Sequence, residues 1–483
     1  MQIKPPQKRI VVLLLSLLLA TGFGCARVEA PGETQSPVPV MIATGAPDQQ
    51  SAPTPVPQPQ LKYIFLFIGD GMGYAQIQAA SDALSASGDE PLCFADFPVQ
   101  GSQKTANADG GVTDSAAAAT AISTGKKTTN GYLGLDPDKN RIETIAETLR
   151  NEGRKIGILT TVSLDHATPG GFYAHVDSRR SYAMITDDLF ASGFDFFAGG
   201  GFHNTPDSDD RALENGYTLI HSFEEAPASA DGRLILSSNL TFGDYGVLPA
   251  IDSGARANWL KKATELAISR LTAPEGFFMM VEGGRIDYFC HYNDAGSFVA
   301  ELLDFNAAVQ SALAFYTQHP QETLILVTAD HETGNVSFTE GDRAVLLKQT
   351  ISSDICDDTL VQQCLANKTP FEEALPLFAS SFGLDNLTPE ETAKLQQAYE
   401  KTYFGNQSGN NSDEEYGTYE PITTACIDLV AARAGLIFGS GGHTGKDVPV
   451  YAIGVGSEFF AGSYENTNLH DALLQAVSAY PLS

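Results

Sequence analysis

Basic residues are scarce in this chain of 483 residues. Lys and Arg number 29, against 59 Asp and Glu, so the formal net charge at pH 7 is −30. Proteins that bind nucleic acids neutralise phosphates with Lys and Arg. The charge balance therefore argues against nucleic acid as a specific partner. A small anionic substrate would also be repelled, unless local cations reverse the field at its binding site.

The apolar run near the amino terminus, residues 11–20, is too short to span a bilayer. It is preceded by Lys4, Lys8 and Arg9 and followed by a small-x-small pattern at residues 22–24. This arrangement is typical of an export signal. We therefore expect residues 1–24 to be a signal peptide and the protein to be exported, to the periplasm or the cell surface.

Cys25 follows directly and resembles the acylated cysteine of bacterial lipoproteins, although Gly22 stands where that motif usually has Leu. Two interpretations stay open: membrane attachment through acylated Cys25, and simple secretion. Residues 25–60 are rich in Pro, Gln, Ser and Thr, with few large apolar side chains. Such a segment cannot bury enough surface to fold, which predicts a semi-extended tether.

Cysteine is also rare, with six residues in the whole chain, and an exported protein can form disulfides. Cys356 and Cys364 are close in sequence, and they are the pair that we expect to be bonded. If Cys25 is acylated, an odd number of cysteines remains, so at least one thiol is free or paired externally.

From residue 61 to residue 483 the composition is that of a folded protein. This length exceeds a usual single core and favours a large domain with an insertion. Six apolar runs are bounded by turn residues: 63–68, 155–159, 194–197, 277–281, 323–328 and 448–453. Because the runs are continuous rather than alternating, they predict strands covered on both faces. We therefore expect an α/β fold, a three-layer αβα sandwich with a mostly parallel central sheet.

Acidic residues follow three of these runs. Asp70 comes after the first run, Glu282 after the fourth, and Asp330 with His331 after the fifth. In parallel sheets the ligand site lies beyond the carboxyl ends of the strands. Turn preferences also place Asp in such loops, but acids at three strand ends, one of them with a histidine, indicate a shared site.

The stretch 109–125 combines a Gly pair, Asp114, Ser115 and an Ala-rich run of high helix propensity. It predicts that Ser115 lies at a helix N-terminus, where free N–H groups and the positive dipole end attract an anion. A serine there can act as a nucleophile, ionised by a metal that Asp114 holds. The alternative is that Asp114 and Ser115 only cap the helix.

Asp287 and His291 are four residues apart, so on a helix they share a face and could bind one ion. A surface pair of this spacing is the simpler alternative. His443 lies in a glycine-flanked loop, where a solvated histidine is common. Three further polar candidates follow the second apolar run: His166, Thr168 and Arg179.

Together these residues resemble the alkaline phosphatase family of metal-dependent phosphomonoesterases. The shared motifs occur in the family's order: Gly69–Gly73, Thr113–Ala117, His166–Thr168, Val281–Gly283, Ile286–Asp287, Thr328–His331 and Gly442–Gly445. The resemblance runs from about residue 63 to about residue 454, apart from an insertion at about 350–424 comparable with the surface crown of many members. It implies hydrolysis of small-molecule phosphate monoesters, and homodimer formation is a further expectation.

The resemblance also implies three metal sites, two for zinc and one for magnesium. Their ligands would be Asp287, His291 and His443 for the first zinc; Asp70, Asp114, Asp330 and His331 for the second; and Asp70, Thr168 and Glu282 for the magnesium, with His166 beside it. Ser115 would be the nucleophile, and Arg179 matches the arginine that clamps the phosphate. In the implied mechanism Ser115 attacks phosphorus and the resulting phosphoserine is hydrolysed.

Two positions depart from one version of the family pattern. His166 stands where some members have Asp and others have His. Tyr288 replaces the basic or His residue that often follows the metal-ligating Asp. These two positions bear on metal preference and phosphate affinity.

The nearest alternative functions belong to the same superfamily. A sulfatase needs a Cys or Ser followed by x-Pro-x-Arg, whereas Ser115 is followed by alanines at positions 116–119. A phosphodiesterase stays open. A non-catalytic surface lipoprotein that binds phosphate would normally have lost its nucleophile or its ligands, and this chain retains them.

Overall fold

The computed structural model describes residues 58–482, except 204, 206, 242–245, 253, 255–257 and 405–418. The chain divides into two units, Met1–Val56 and Pro57–Ser483, and every element below belongs to the second. The predicted signal peptide, residues 1–24, lies outside the described residues. So do Cys25 and all but the last three residues of the predicted tether, residues 25–60. Those expectations stay predictions.

Fourteen strands are found in the described part of the chain. They are β1 Tyr63–Gly69, β2 Val99–Lys104, β3 Lys155–Thr160, β4 Phe196–Gly199, β5 Tyr217–Ile220, β6 Arg233–Ser237, β7 Phe277–Gly283, β8 Thr323–Thr328, β9 Glu332–Thr333, β10 Val336–Phe338, β11 Leu436–Phe438, β12 His443–Thr444, β13 Val448–Gly454 and β14 Gly462–Glu465. Ten of them form one sheet in the order β14-β2-β13-β8-β1-β7-β3-β4-β6-β5. Each of the six apolar runs contributes a strand to it.

The sheet is mostly parallel, as predicted. β1 at its centre pairs parallel with β7 and β8, and β3 pairs parallel with β7 and β4. β13 is reversed, since it pairs antiparallel with both β8 and β2. The first residues of β13 therefore lie at the same edge of the sheet as the carboxyl ends of the parallel strands β8, β1 and β7.

The helices are α1 Tyr74–Ser87, α2 Ser115–Thr124, α3 Ile145–Asn151, α4 Ala167–Gly170, α5 Tyr182–Ser192, α6 Ser208–Glu214, α7 Trp259–Leu271, α8 Arg285–His291, α9 Ala295–Gln318, α10 Ser353–Ile355, α11 Gln362–Asn367, α12 Phe371–Ser381, α13 Pro389–Phe404, α14 Pro421–Ala434 and α15 Thr467–Ala479. A π-helical turn, Cys356–Val361, joins α10 to α11.

Helices cover both faces of the sheet. The side chains of β1 show this, since they alternate between two apolar clusters, one on each face. Phe65 and Phe67 join a cluster with residues of α1, α7, α8, α9 and α14. Leu66 and Ile68 join a second cluster with residues of α2, α3, α5 and α15. Burial of apolar side chains on both faces explains why the β1 run is continuously apolar. The predicted three-layer α/β sandwich is confirmed.

α9 is long and apolar enough to cross a membrane by length and composition, with a mean hydropathy of 1.2. It packs instead as a core helix, since 67% of its most apolar stretch is buried inside the domain. Phe298, Leu302 and Phe305 are among its buried side chains.

Residues 350–424, which we call the helical segment, contain α10 to α13 and the start of α14. The longest helix of this segment is α13, with 16 residues. Cys356, Phe378 and Leu395 pack into the first core cluster, so the segment is joined to the domain by apolar contacts.

The predicted Cys356–Cys364 disulfide is wrong for this structure, in which both thiols are free and buried. The two residues lie eight positions apart in consecutive helical elements. About two helical turns therefore separate them, which is further than the roughly 7 Å within which the Cα atoms of bonded cysteines lie.

Candidate active site

Ser115 is the first residue of α2, as predicted. Asp114 is the N-cap: its backbone is extended, and its Oδ1 accepts a hydrogen bond from the Ala117 N–H at 2.9 Å. The hydroxyl oxygen of Ser115, which is 1% exposed, lies 3.3 Å from Nε2 of His331. Capping and a poised serine are therefore not alternatives here, since adjacent residues take the two roles.

The structure gives Asp114 a different role from the predicted zinc ligand. Its Oδ2 accepts a hydrogen bond from the Gly131 N–H at 2.9 Å and lies 3.4 Å from Nη1 of Arg179. Both oxygens are thus engaged in capping the helix and holding Arg179, and among the described residues the carboxylate belongs to none of the groups of possible metal ligands given below. This geometry gives Asp114 no place at a metal, and its role as a zinc ligand stays a prediction.

The sheet edge collects the other predicted residues. Asp70 directly follows β1, Glu282 lies near the end of β7, and Asp330 and His331 follow β8. His443 reaches the same edge because β12 pairs with β9, with His443 opposite Thr333. Strand direction thus explains how residues far apart in sequence converge.

Three groups of carboxylates and imidazoles have ligand atoms within 4.8 Å of one another. The first group is Asp287, His291 and His443; the second group is Asp70, Asp287 and His331; the third group is Asp70, His166 and Glu282. Asp330 lies beside the second group, with Oδ2 3.2 Å from Nε2 of His331. These groups include eight of the predicted ligands when Asp330 is counted with them.

Asp287 belongs to two groups, which the sequence did not predict. Its Oδ2 lies 3.0 Å from Nε2 of His291, one turn further along α8, and 3.8 Å from Nε2 of His443. Gly71, at a φ of 70°, allows this approach: a Cβ there would come within 2.7 Å of Oδ1 of Asp287. The site therefore requires glycine at position 71.

The donor atoms fit metal ions. Among the buried polar atoms that make no hydrogen bond in the described structure, five belong to predicted ligands: Oδ1 of Asp70, Oε1 of Glu282, Oδ2 of Asp330, Oγ1 of Thr168 and Nδ1 of His166. Buried polar atoms are rarely left without partners. A bound cation would satisfy these five atoms.

The electrostatics lead to the same conclusion. Burial raises the pKa of Asp70 well above its ordinary value, and the charges of Asp330 and Asp287 raise it further. Burial also raises the pKa of Glu282 to about 8 and that of Asp330 to about 6. Carboxylates crowded in this way repel one another, and divalent cations would remove the repulsion.

The histidines differ among themselves. Burial lowers the pKa of His166 to about 3 and that of His331 well below its usual range. Both imidazoles are therefore neutral, which is the form that binds metals. For His443 burial acts in the same direction, but the charge of Asp287 outweighs it and raises the pKa to about 9.

Arg179 lies between the N-terminus of α2 and the third group. Its Nη1 contacts Asp114, and its Nη2 lies 3.2 Å from Nε2 of His166. A guanidinium that is fixed on two sides presents its N–H groups in a defined direction. This suits a group that binds the oxygens of an anion.

Some supporting residues were missed from the sequence. The hydroxyl of Thr333 donates to Oδ1 of Asp287, and the hydroxyl of Thr160 donates to Oε2 of Glu282. Nδ1 of His291 lies 2.6 Å from the carbonyl oxygen of Gly441, which leaves Nε2 for a metal. Adjacency to the motifs was the available signal, since Thr333 follows His331 by two residues.

Tyr288 packs on its own helix. Its ring lies 5.6 Å from the guanidinium of Arg285 and 5.8 Å from the ring of Tyr292. A role of Tyr288 in phosphate affinity, raised from the sequence, stays a prediction.

Comparison with known proteins agrees with this geometry. A family model described as alkaline phosphatase matches residues 61–194 and 242–479. Alkaline phosphatase 3 of Bacillus subtilis (strain 168) is 31% identical over 424 residues, covering 84% of this chain and 87% of that protein.

Solved structures show the same fold. The cold-active alkaline phosphatase of the psychrophile Shewanella sp. has a TM-score of 0.74 and 26% identity, covering 87% of this chain and 100% of that chain. A variant of the alkaline phosphatase of the Antarctic bacterium TAB5, with a histidine replaced by aspartate and magnesium bound in its M3 site, has a TM-score of 0.61. Its identity is 27%, over 87% of this chain and 99% of that chain.

Proposed function

The chain belongs to the alkaline phosphatase family and hydrolyses phosphate monoesters, and we propose that it does so through a phosphoserine at Ser115. The observation that carries this proposal is the position of Ser115. Its buried hydroxyl lies at the N-terminus of α2 and 3.3 Å from Nε2 of His331, which belongs to the second group.

Ser115 takes part in both chemical steps. In the first, its Oγ forms a bond to phosphorus while the bond from phosphorus to the leaving oxygen breaks, which releases the alcohol. In the second, a water oxygen attacks the same phosphorus, and inorganic phosphate leaves as Oγ is regenerated. Because the N-terminus of α2 presents free N–H groups, negative charge that develops at Ser115 is stabilised there.

Arg179 would bind the phosphoryl group. Its guanidinium can donate to two phosphate oxygens at once. Asp114 contacts one of its terminal nitrogens and His166 contacts the other. The guanidinium is therefore already oriented when the phosphoryl group binds. Asp114 would thus act on substrate through Arg179 and through the helix cap.

We propose two zinc ions and one magnesium ion as the cofactors. The first group, and the second group with Asp330 beside it, mix imidazole and carboxylate ligands, which suits zinc. The third group, with Thr168 close by, is richer in oxygen and suits magnesium. Bound cations would supply the positive charge that the attacking and leaving oxygens need, and which a chain at −30 otherwise lacks.

Ser115→Ala tests the proposal directly. With zinc and magnesium supplied, this variant should lose phosphoserine trapping and at least about a thousandfold in turnover of p-nitrophenyl phosphate. Ser123→Ala is the matched control, since Ser123 lies on the same helix and its hydroxyl donates to the Gly171 carbonyl. Near wild-type turnover by Ser115→Ala would remove Ser115 from this role.

The same assay separates the alternatives. A chain that hydrolyses a phosphate diester faster than the monoester would be a phosphodiesterase of the same superfamily. A metal-loaded chain that turns over neither ester would restore the non-catalytic phosphate-binding interpretation.

A further inference from the structure

The helical segment contacts both ends of α8, the helix that carries Asp287 and His291. At the first residue of α8, Nη1 of Arg285 lies 3.5 Å from Oδ2 of Asp354, which belongs to α10. At the other end, the ring of Tyr292, the C-cap residue, lies 4.4 Å from the ring of Tyr419. The two metal-binding residues lie between these contacts.

One carboxylate links the two contacts. The hydroxyl of Tyr419 donates to Oδ1 of Asp354, whose Oδ2 faces Arg285. The side chain of Arg285 is 1% exposed and that of Asp354 is 10% exposed. An ion pair this buried is screened little by water, so its geometry is held more tightly than that of a surface pair.

Asp354 is itself anchored to the domain. The N–H of Ser353 donates to Oδ2 of Asp294 at 2.9 Å, and Asp294 is the buried N-cap of α9. The N–H of Glu420, next to Tyr419, donates to Oδ2 of Asp357 at 2.8 Å. Asp354 is thus anchored next to the start of α9, and Tyr419 is anchored to Asp357 within the helical segment.

Arg285 is fixed on the other side by β3. The backbone N–H of Arg285 donates at 3.1 Å to the hydroxyl of Thr161, which directly follows β3. α8 is only seven residues long, so a shift at Arg285 moves Asp287 and His291 with it.

We propose that Asp354 is a positioning residue for the first group: through Arg285 it sets the orientation of α8 and hence the metal affinity of Asp287, His291 and His443. This gives the helical segment a defined task, which is to hold the metal-binding helix from outside the active site. The inference rests on the proposed function only in taking the first group to bind zinc.

The test is zinc retention by the purified full-length protein, loaded with zinc and magnesium and then challenged with a chromogenic zinc chelator. Asp354→Asn keeps the shape of the side chain and removes its charge. We expect it to release the more weakly held zinc at about tenfold lower chelator concentration than the wild type, the scale typical of residues behind metal ligands. Asp354→Glu should restore part of the retention.

Glu391→Gln is the matched control. Glu391, on α13, also pairs with an arginine: each of its oxygens lies 2.9 Å from a nitrogen of Arg433, on α14. Neither residue is on α8. Loss of this pair should lower the Tm without changing zinc retention. A general loss of stability would affect Asp354→Asn and Glu391→Gln alike, whereas a positioning role would separate them.

Three outcomes would overturn the proposal. The first outcome is that Asp354→Asn retains zinc as well as the control Glu391→Gln does. If Asp354→Asn fails to fold, Tyr419→Phe decides, because it removes only the hydroxyl that orients Asp354; wild-type retention in that variant counts against the proposal. A wild-type chain that binds no zinc would overturn the metal assignment and this proposal together, and a chain that binds zinc without hydrolysing monoesters would overturn the proposed function alone.

Discussion

Nη2 of Arg179 lies 3.2 Å from Nε2 of His166. The arginine proposed to bind phosphate is thus in contact with a residue of the third group, and metal binding and substrate binding share a side chain. Burial and the charge of Arg179 both keep His166 neutral, with a pKa of about 3. A histidine in this position offers one nitrogen donor and no negative charge.

His166→Asp should therefore strengthen magnesium binding. Magnesium prefers oxygen ligands and octahedral geometry, and a carboxylate at this position supplies both charge and an oxygen. We expect the magnesium concentration that gives half-maximal activation to fall about tenfold, and the gain from added cobalt to shrink. Titration of metal-stripped enzyme with magnesium measures the first effect.

His166→Asn is the matched control, since it provides an oxygen of similar reach without the charge. It should show little gain in magnesium affinity. Equal magnesium response in the wild type and in His166→Asp would mean that residue 166 does not face the third ion.

His443→Ala should weaken the first group selectively. The substitution leaves only Asp287 and His291 as ligands there, whereas the third group keeps all its residues. We expect zinc affinity at this group to fall at least about 100-fold, with magnesium content unchanged. Metal analysis after gel filtration gives both numbers.

His221→Ala controls for the loss of a histidine as such, because His221 is a partly exposed residue paired with Asp209. It should retain the wild-type zinc content. Unchanged zinc content in His443→Ala would mean that His443 is not a zinc ligand, although it lies beside Asp287.

The fold could be predicted largely because its strands are buried on both faces. Phe65 and Leu66 pack into opposite cores. A strand that is buried on both faces needs apolar residues at every position, so an uninterrupted apolar run indicates a sheet covered on both sides. β5 and β6 carried no such signal, since polar or charged side chains leave only two and three consecutive apolar residues in them. Short strands near a sheet edge are specified more by their neighbours than by their own sequence.

The site was predictable to the extent that motifs follow strands. The positions of Asp70 and His331 after β1 and β8 indicated a shared site, and the family resemblance supplied their roles as ligands. The role of Asp114 could not, because its oxygens are taken by the N–H groups of Ala117 and Gly131, and this capping geometry appears only in three dimensions. The sharing of Asp287 between two groups could not be predicted either, because it depends on how close Asp287 lies to Asp70 and His331 in the folded chain.

Cys25→Ser tests the proposal that this protein is exported and acylated. In its native host the full chain should move from the membrane fraction to the soluble extracytoplasmic fraction on substitution. A chain that starts at Gln58 is the soluble reference and should stay active, because Gln60 and Leu61 are the first of the described residues whose backbone N–H groups bond to the folded domain. If the unsubstituted protein is already soluble outside the cytoplasm, acylation is wrong and simple secretion stands.

The metal-free protein should lose stability as pH rises from about 6.5 to 8. In the fold, burial raises the pKa of Glu282 from its ordinary 4.5 to about 8, and Asp287 raises that of His443 from 6.5 to about 9 against the effect of burial. In this window the folded state binds more protons than the unfolded state, so the free energy of unfolding falls as pH rises. His166 and His331 oppose this trend near the lower end of the window, because burial keeps both neutral in the fold whereas an unfolded histidine is still about half protonated at pH 6.5. Their effect fades towards pH 8, where the imidazoles are neutral in both states.

Thermal unfolding in excess chelator measures this, and we expect the Tm to fall by at least about 2 °C between pH 6.5 and 8. Glu282→Gln, which cannot ionise, should flatten the dependence. The metal-loaded protein should show the opposite trend, because protons compete with metal ions for the same carboxylates and imidazoles. A metal-free Tm that rises over this range would mean that these carboxylates are already ionised without cations, and that crowding at the sheet edge is not what the metals relieve.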